Sequence, residues 1–366
     1  MKEMLKALAA RSRLFSKCLA LAVYAVGYQD IQQELETFVE PAKRTDRRYV
    51  RRLTLDILFS ELHYQIAPSE YFWYRFEDKS DRERRTYIGD AEKNTLCAQM
   101  GDADSAAILG NKYACYKYFK EFYRRDVIRV SSQEDKVAFT DFFSRHRACI
   151  VKPIDQSGGT GIYRIDAESK NADECFQRIL AGGPCVVEQC IEQSDQMARF
   201  HPQSVNTVRI ATVRSSKRIS IPFSVLKAGT GDAVVDNAST GGVFASIDVA
   251  TGKVQSDGFL KNGSFCQVHP DSGCRFYGFQ VPYWQELLNL AVKAAQTFPQ
   301  YNYISWDFAL TDRGWVMVEA NSRGEFAAFQ VFHGGIRELF TEEFQENEKY
   351  SEDETCCAGS TKLQNL

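Results

Sequence analysis

Late in the chain the hydrophobic positions fall into two runs, ISWDFAL and WVMVEAN, separated by the polar turn Asp312-Arg313-Gly314. β-Branched and aromatic residues around a three-residue loop ending in Gly predict a hairpin, with Gly314 in the left-handed position. Regular pairing about Arg313 sets Asp307 across from Glu319, and Ser305 across from Asn321. Side chains alternate along a strand, so Asp307, Glu319 and Asn321 share one face. The preceding stretch YWQELLNLAVKAAQT, 283–297, carries Leu and Ala at helical spacing and predicts a helix packed on that hairpin's sheet.

The same reading runs upstream. In ILGNKYACYKYFKEFY (108–123), Asn111 is a candidate N-cap and Lys112 takes the first helical position. ACIVKPIDQSGGTGIYRID (148–166) holds two strand-like runs joined by a Gly-rich loop, Ser157, Gly158, Gly159, Thr160 and Gly161, with Lys152 on the first run. A helix over Asn171–Leu180 leads to CVVEQCI, an apolar strand interrupted by Glu188. SVNTVRIATV alternates so that Arg209 projects with Thr207 and Ala211, and the Gly-rich loop at Asp236–Gly242 enters the strand GVFASIDV.

The first hundred residues read as helices. In MKEMLKALAARSRLFSKCLALAVYAVGYQD, basic residues precede the apolar run Cys18–Gly27, which is too short to span a bilayer. Leu5, Leu8, Leu14, Leu19 and Val23 fit an amphipathic helix docked on the body or on a membrane surface; a cleaved signal is the alternative. Pro41–Leu53 is strongly basic and suits a phosphate-bearing or acidic partner, or else Arg stems covering aromatic residues. LDILFSELHYQIAPSEYFWYRF then reads as helices around a loop at Pro68.

Composition narrows the class. A chain of 366 residues has ample core for one multi-lobed domain or two to three small ones. A net charge of −3 gives no sign of general nucleic-acid affinity. Eleven Cys without a Cys-x-x-Cys pair argue for reduced thiols in a cytoplasmic setting, against a disulfide framework or a structural metal. The polar, acidic segment after residue 345 reads as a disordered tail, with Cys356 and Cys357 as exposed thiols of no assigned role.

Chemistry enters through charge placement. Carboxylates facing each other across a hairpin repel, and a hard divalent cation taking oxygen ligands would offset that. The alternative is a surface hairpin whose acids point to water. A loop rich in backbone N–H groups can fold over phosphates, with Lys152 as a fixed cation beside it. Glu188 reads as a linker acid near an adenine amine, or as a buried acid at a strand edge, and Asp195 as a ribose ligand. Arg209 is suited to a bidentate grip on phosphate or carboxylate, or to a structural salt bridge. Arg323 could neutralise a substrate carboxylate or a transferring phosphoryl group. Asp236, Asn237 and His333 are candidates for substrate contact, with Arg337 near the same mouth.

The order of Lys112, Lys152 with SGGTG, VVEQCI, Asp307 and VEAN resembles the ATP-grasp superfamily over about residues 108–335. VKPIDQSGGTGI, HPQSVNTVRIATV and DNASTGG are similar to its sugar-transfer-associated branch. The resemblance implies an α+β fold, two α+β lobes clasping ATP after a largely helical N-terminal region. The boundaries expected are 1–105, 106–190, 191–345 and a tail at 346–366. It implies that Lys112, Lys152 and the SGGTG loop contact the ATP phosphates, and that Glu188, Gln189 and Ile191 hold adenine and Asp195 the ribose. Asp307, Glu319 and Asn321 would ligate Mg²⁺. Two departures stand out: Ser305 where many members carry Arg, and Ser322-Arg323-Gly324 where many carry a Pro-Gly loop.

The activity implied is an ATP- and Mg²⁺-dependent ligase that activates a substrate carboxylate as an acylphosphate for an amine or thiol. Lys152, Arg209 and Arg323 are its catalytic candidates. Its substrates would be a small-molecule or saccharide carboxylate and a nucleophile, with no nucleic acid, in polysaccharide or cell-surface sugar modification. The basic N-terminal region is a candidate contact to a membrane or to polysaccharide machinery. A kinase acting on a hydroxyl and a non-catalytic nucleotide-binding scaffold are the alternatives.

Overall fold

The computed structural model describes residues 8–27, 29–156, 158–167, 170–215, 218–233, 235–236, 241–324 and 326–340. The remaining positions, including Ser157, Asn237, Cys356, Cys357 and the segment read as a tail, lie outside the described residues. The chain divides into two compact units. One comprises residues 1–99, 214–218 and 325–366, and the other 100–213 and 219–324.

The first unit is helical. Asp46 caps the long helix Arg47–Tyr64 by accepting from the backbone N–H groups of Arg48 and Tyr49. Pro68 opens the helix Pro68–Trp73, where a missing N–H costs nothing, so the expected loop lies just ahead of it. Leu53, Ile57, Leu58, Tyr71, Phe76 and Tyr87 form the core. Arg84 enters that core because both guanidinium Nη atoms meet the Asp56 carboxylate, at 2.8 and 2.7 Å.

The helix Ala327–His333 belongs to this unit through Gln330. Its Oε1 accepts from Ile88 N, and its Nε2 donates to Ile88 O and to the Tyr74 hydroxyl. Among the described residues no helix is long and apolar enough to cross a membrane.

The second unit carries two antiparallel sheets. β1 (Val127–Val130), β2 (Ala148–Pro153), β3 (Tyr163–Asp166) and β4 (Cys185–Gln189) form one, in the order β1-β4-β2-β3. Helices Lys136–Arg145 and Ala172–Ala181 cover it, packing Phe139, Phe142, Phe143, Phe176 and Ile179 against Val151, Ile165 and Val187. The other face is left for Ile150, Lys152 and Glu188, because side chains alternate.

The larger sheet comprises β5 (Thr207–Arg214), β6 (Ile219–Ala228), β7 (Val243–Ile247), β8 (Gly258–Leu260), β9 (Phe265–Cys266), β10 (Tyr303–Thr311) and β11 (Gly314–Asn321). Its order is β11-β10-β5-β6-β7-β8-β9. β10 is buried from Tyr303 to Leu310. The helix Trp284–Thr297 buries Leu287, Ala291, Ala294 and Ala295 and contacts β10 and β11, as its apolar stripe predicts.

Candidate active site

The hairpin β10–β11 forms the floor of the site. Its tip is a two-residue loop, with Thr311 paired to Gly314 and Gly314 at φ 95°. Continued regularly, that loop would put Asp307 across from Val318. A bulge between Asp307 and Phe308 absorbs one residue, so Asp307 faces Glu319 and Ser305 faces Asn321. The expected register is present, reached through a tight turn and a bulge instead of regular pairing about Arg313. On its other side Asp307 faces Arg209 of β5. Glu319, Asp307 and Arg209 therefore form one row across three strands.

Two cations neutralise Asp307. Arg209 donates from Nε and Nη2 to its two oxygens, each at 2.7 Å, and Lys227 of β6 donates to Oδ2 at 3.2 Å. Lys227 also meets Asp236 at 3.2 Å, and Asp236 accepts from the backbone N–H and hydroxyl of Thr207. Burial alone would raise the Asp307 pKa; Arg209 and then Lys227 outweigh it and hold the carboxyl well below its usual range. Glu319, half-buried, makes no hydrogen bond or ion pair to a described residue.

Asn321 Nδ2 and Ser305 Oγ, on neighbouring strands, are both buried without a hydrogen-bond partner among the described residues. The small residue at 305 has a steric cause: a Cβ on Gly324 would lie 2.2 Å from the Ser305 Cβ. The chain leaving β11 occupies the space that an Arg at 305 would need.

The four-stranded sheet faces the cleft with a different cluster. Lys152 donates to Glu188 Oε2 at 3.0 Å, and Arg125 donates to the same oxygen from Nε at 3.1 Å and Nη2 at 2.7 Å. Burial would raise the Glu188 pKa, but Lys152 and then Arg125 bring it below its ordinary value. Arg125 lies over the Tyr123 ring and also donates to the carbonyls of Met317 and Val318, at the bulge. One guanidinium thus links the partner of Lys152 to the irregularity that sets Glu319.

Lys112 starts the helix Lys112–Tyr118, capped by Asn111, and its ammonium group donates to the Gln156 carbonyl. Its backbone N–H donates to Ile154 O at 3.1 Å, which pins the helix start beside the end of β2. In the Gly-rich loop Gly158, Gly159 and Gly161 have φ of 71°, 80° and 71°, a path that L side chains resist.

One cavity gathers most of these groups. Lys112, Lys152, Glu188, Gln189 and Ile191 line it together with Thr207, Lys227, Asp236, Asp307 and Glu319. Ile150, Ile162, Val205, Val235 and Val318 supply apolar wall. Asp195 is exposed in the first turn of Asp195–Ala198, and neither it nor the exposed Arg323 lines this cavity.

His333 ends its helix in the helical unit, and Arg337 there is committed to Glu92 and the carbonyls of Arg85 and Tyr87. The Glu188 carboxylate, expected near an adenine amine, is already bonded by two cations. Gln189 is pinned to Asp126, by its backbone N–H to Asp126 O at 2.9 Å and by its side-chain oxygen to Asp126 N at 3.3 Å.

Two residues of the site escaped the sequence reading. Lys227 had a signal, a lone charge within the apolar strand FSVLKA, of the same kind that marks Glu188. Arg125 had none, being one of two adjacent arginines in FYRRDVI.

Among the described residues no three His, Cys, Asp or Glu side chains converge as a metal cluster. Asp307, Glu319 and Asn321 share a strand face, and Glu319 lacks a cation partner among the described residues. Two carboxylates and an amide oxygen fit Mg²⁺, which completes its shell with waters and phosphate oxygens. Asp307 would offer the metal the lone pairs that Arg209 and Lys227 leave.

A family profile described as sugar-transfer associated ATP-grasp matches residues 93–343. Among curated proteins no sequence matches. Similar solved structures include the ATP-grasp ligase PsnB complexed with its minimal precursor, at 12% identity and TM-score 0.42, covering 68% of this chain and 63% of that one. D-alanine-D-alanine ligase from Coxiella burnetii aligns at 9% identity and TM-score 0.44, covering 71% and 64%. The Bacillus anthracis enzyme of the same name aligns at 12% and 0.44, covering 72% and 76%. The chain spans just under two thirds of the length of that PsnB chain and of the Coxiella ligase.

Proposed function

We propose, for a chain that belongs to the sugar-transfer-associated ATP-grasp family, an ATP- and Mg²⁺-dependent ligase that joins a carboxylate to an amine or thiol. The observation that carries this reading is the facing pair Asp307 and Glu319, with Arg209 bonded to Asp307 from the next strand, lining the same cavity as Lys112 and Lys152.

In this reading the cleft binds ATP with its base among Ile150, Ile162 and Ile191, and its phosphates toward Lys112, Lys152 and the Gly-rich loop. Glu319, Asp307 and Asn321 hold the magnesium ion, which supplies charge neutralisation at the phosphates when bound. The γ-phosphoryl passes to a substrate carboxylate oxygen and ADP leaves. The amine lone pair then attacks the acyl carbon and inorganic phosphate departs. No side-chain nucleophile is required; the chain positions the reactants and stabilises charge. Lys152 moves from Glu188 toward phosphate, and Arg209 stays with Asp307 and fixes the row. Arg323 is assigned to the mouth on the substrate side.

The substrate class follows the family's sugar-transfer association: an amino acid or a uronic-acid-bearing saccharide, handled beside polysaccharide machinery in the cytoplasm, where ATP is available. The test is phosphate release from ATP·Mg²⁺ over panels of carboxylates paired with amines. The expected result is ADP and phosphate only when both partners are present. ADP without free phosphate, with a phosphorylated hydroxyl, would identify a kinase. ATP binding without turnover, unchanged by Asp307→Asn, would identify a scaffold.

A further inference from the structure

The helix Arg13–Val26 is held to the helical unit along one side only. Ser16 and Ala20 are buried, and Arg13 meets Asp81 at 2.7 Å. Facing away from them, Leu14 is 75% exposed and Leu21 52%; Tyr24 and Val26 (89%) are exposed toward the end of the helix, and Leu8 just ahead of it. Leu14 and Leu21 are seven residues apart, so they lie above one another on the same face. Five of the eleven large hydrophobic side chains exposed among the described residues belong to this one segment. That concentration separates it from the scattered surface apolar residues every protein carries.

The charges around the stripe choose its occupant. From Leu8 to Gly27 there is no acidic residue, while Arg11 and Lys17 are exposed one turn before and after Leu14. The helix packed against it, Arg47–Tyr64, begins with Arg47, Arg48 and Arg51, all exposed and without a side-chain ion pair to a described residue. A second copy docked on this face would bring like charges together. An anionic lipid surface takes the leucines among its acyl chains and the basic groups at its headgroups. We propose that this face docks the protein on a membrane surface bearing anionic lipid. The helix lies in the interface and does not cross it. This inference does not depend on the ligase reading.

The test uses the full chain in flotation with phosphatidylcholine vesicles, with and without phosphatidylserine. Binding should require phosphatidylserine and weaken as salt rises. Leu14→Glu with Leu21→Glu should reduce it at least about tenfold, and Arg11→Gln with Lys17→Gln roughly fivefold per charge removed. Val137→Glu, at an equally exposed apolar position on another helix, should leave binding and melting temperature unchanged. No binding, equal binding to neutral vesicles, or equal binding by the double glutamate variant would overturn the proposal. So would a dimer in solution that the double glutamate variant dissociates.

Discussion

The two sheets that line the cleft treat charge in opposite ways. On the four-stranded sheet one carboxylate, Glu188, is set between two cations, Lys152 and Arg125. On the seven-stranded sheet Asp307 and Asp236 share Arg209 and Lys227, and Glu319 stands next to them without a cation. The first cluster carries one positive charge in excess and the second one negative. A surplus of cation suits a phosphate, and a surplus of carboxylate suits a divalent metal. Each surplus is small because most of the charge is already paired, which is what allows such groups to be buried at all.

Breaking the seven-stranded cluster should have the largest consequence. Asp307→Ala leaves Arg209 and Lys227 buried against Asp236 alone, and removing one partner of a buried pair costs about 3–5 kcal/mol. Urea denaturation should show that loss, with turnover gone as well. Next comes Arg125→Met, which deprives Glu188 of one cation and the bulge carbonyls of their donor. Hydrogen bonds to charged groups are worth about 1.5–3 kcal/mol each, and a loss in that range is expected. Lys152→Met separates the two roles. It should weaken nucleotide binding yet leave the magnesium dependence of that binding intact, whereas Arg125→Met should blunt both, as titrations with and without Mg²⁺ would show.

Acid should act on both clusters in the same direction. Asp307 and Glu188 titrate below their ordinary values of 3.8 and 4.5 in the folded chain, so the unfolded chain takes up protons first. Their contribution is complete above those values and is lost as pH falls through them toward the folded pKa. Melting temperature followed from neutral pH downward should hold steady and then drop. In Asp307→Asn the drop should be shallower, because one of the two linked protons is gone.

What could be read from sequence was whatever depends on local period. Alternation puts Ser305 with Asp307 on β10 and Glu319 with Asn321 on β11, but it is the bulge between Asp307 and Phe308 that brings the two pairs to one face. A charge inside an apolar run marks Glu188, and the same rule marks Lys227. The use that Arg209 makes of its guanidinium could not be read, because Asp307 is 98 residues away and becomes its neighbour only when β5 pairs with β10. Arg125 shows the same limit more sharply, since its acceptors are Glu188, 63 residues away, and two carbonyls of β11 at a bulge, which leaves no residue signature. Ser305 looked like a missing Arg. The backbone of Gly324 packed against it supplies the reason, and Ser305→Arg should destabilise the chain accordingly.

The finest separation of the two clusters comes from Glu319→Gln, for which the expected change in stability is the smallest. Glu319 is half-buried and holds no cation, so removing its charge takes away no ion pair and also relieves its repulsion with Asp307 across the hairpin. Unfolding free energy should stay within about 0.5 kcal/mol of the parent. Nucleotide binding without metal should be equally unaffected, while the strengthening that Mg²⁺ brings should disappear. If Glu319→Gln instead cost as much stability as Arg125→Met, Glu319 would be a structural acid. The negative surplus of the larger sheet would then have no free carboxylate to offer a metal.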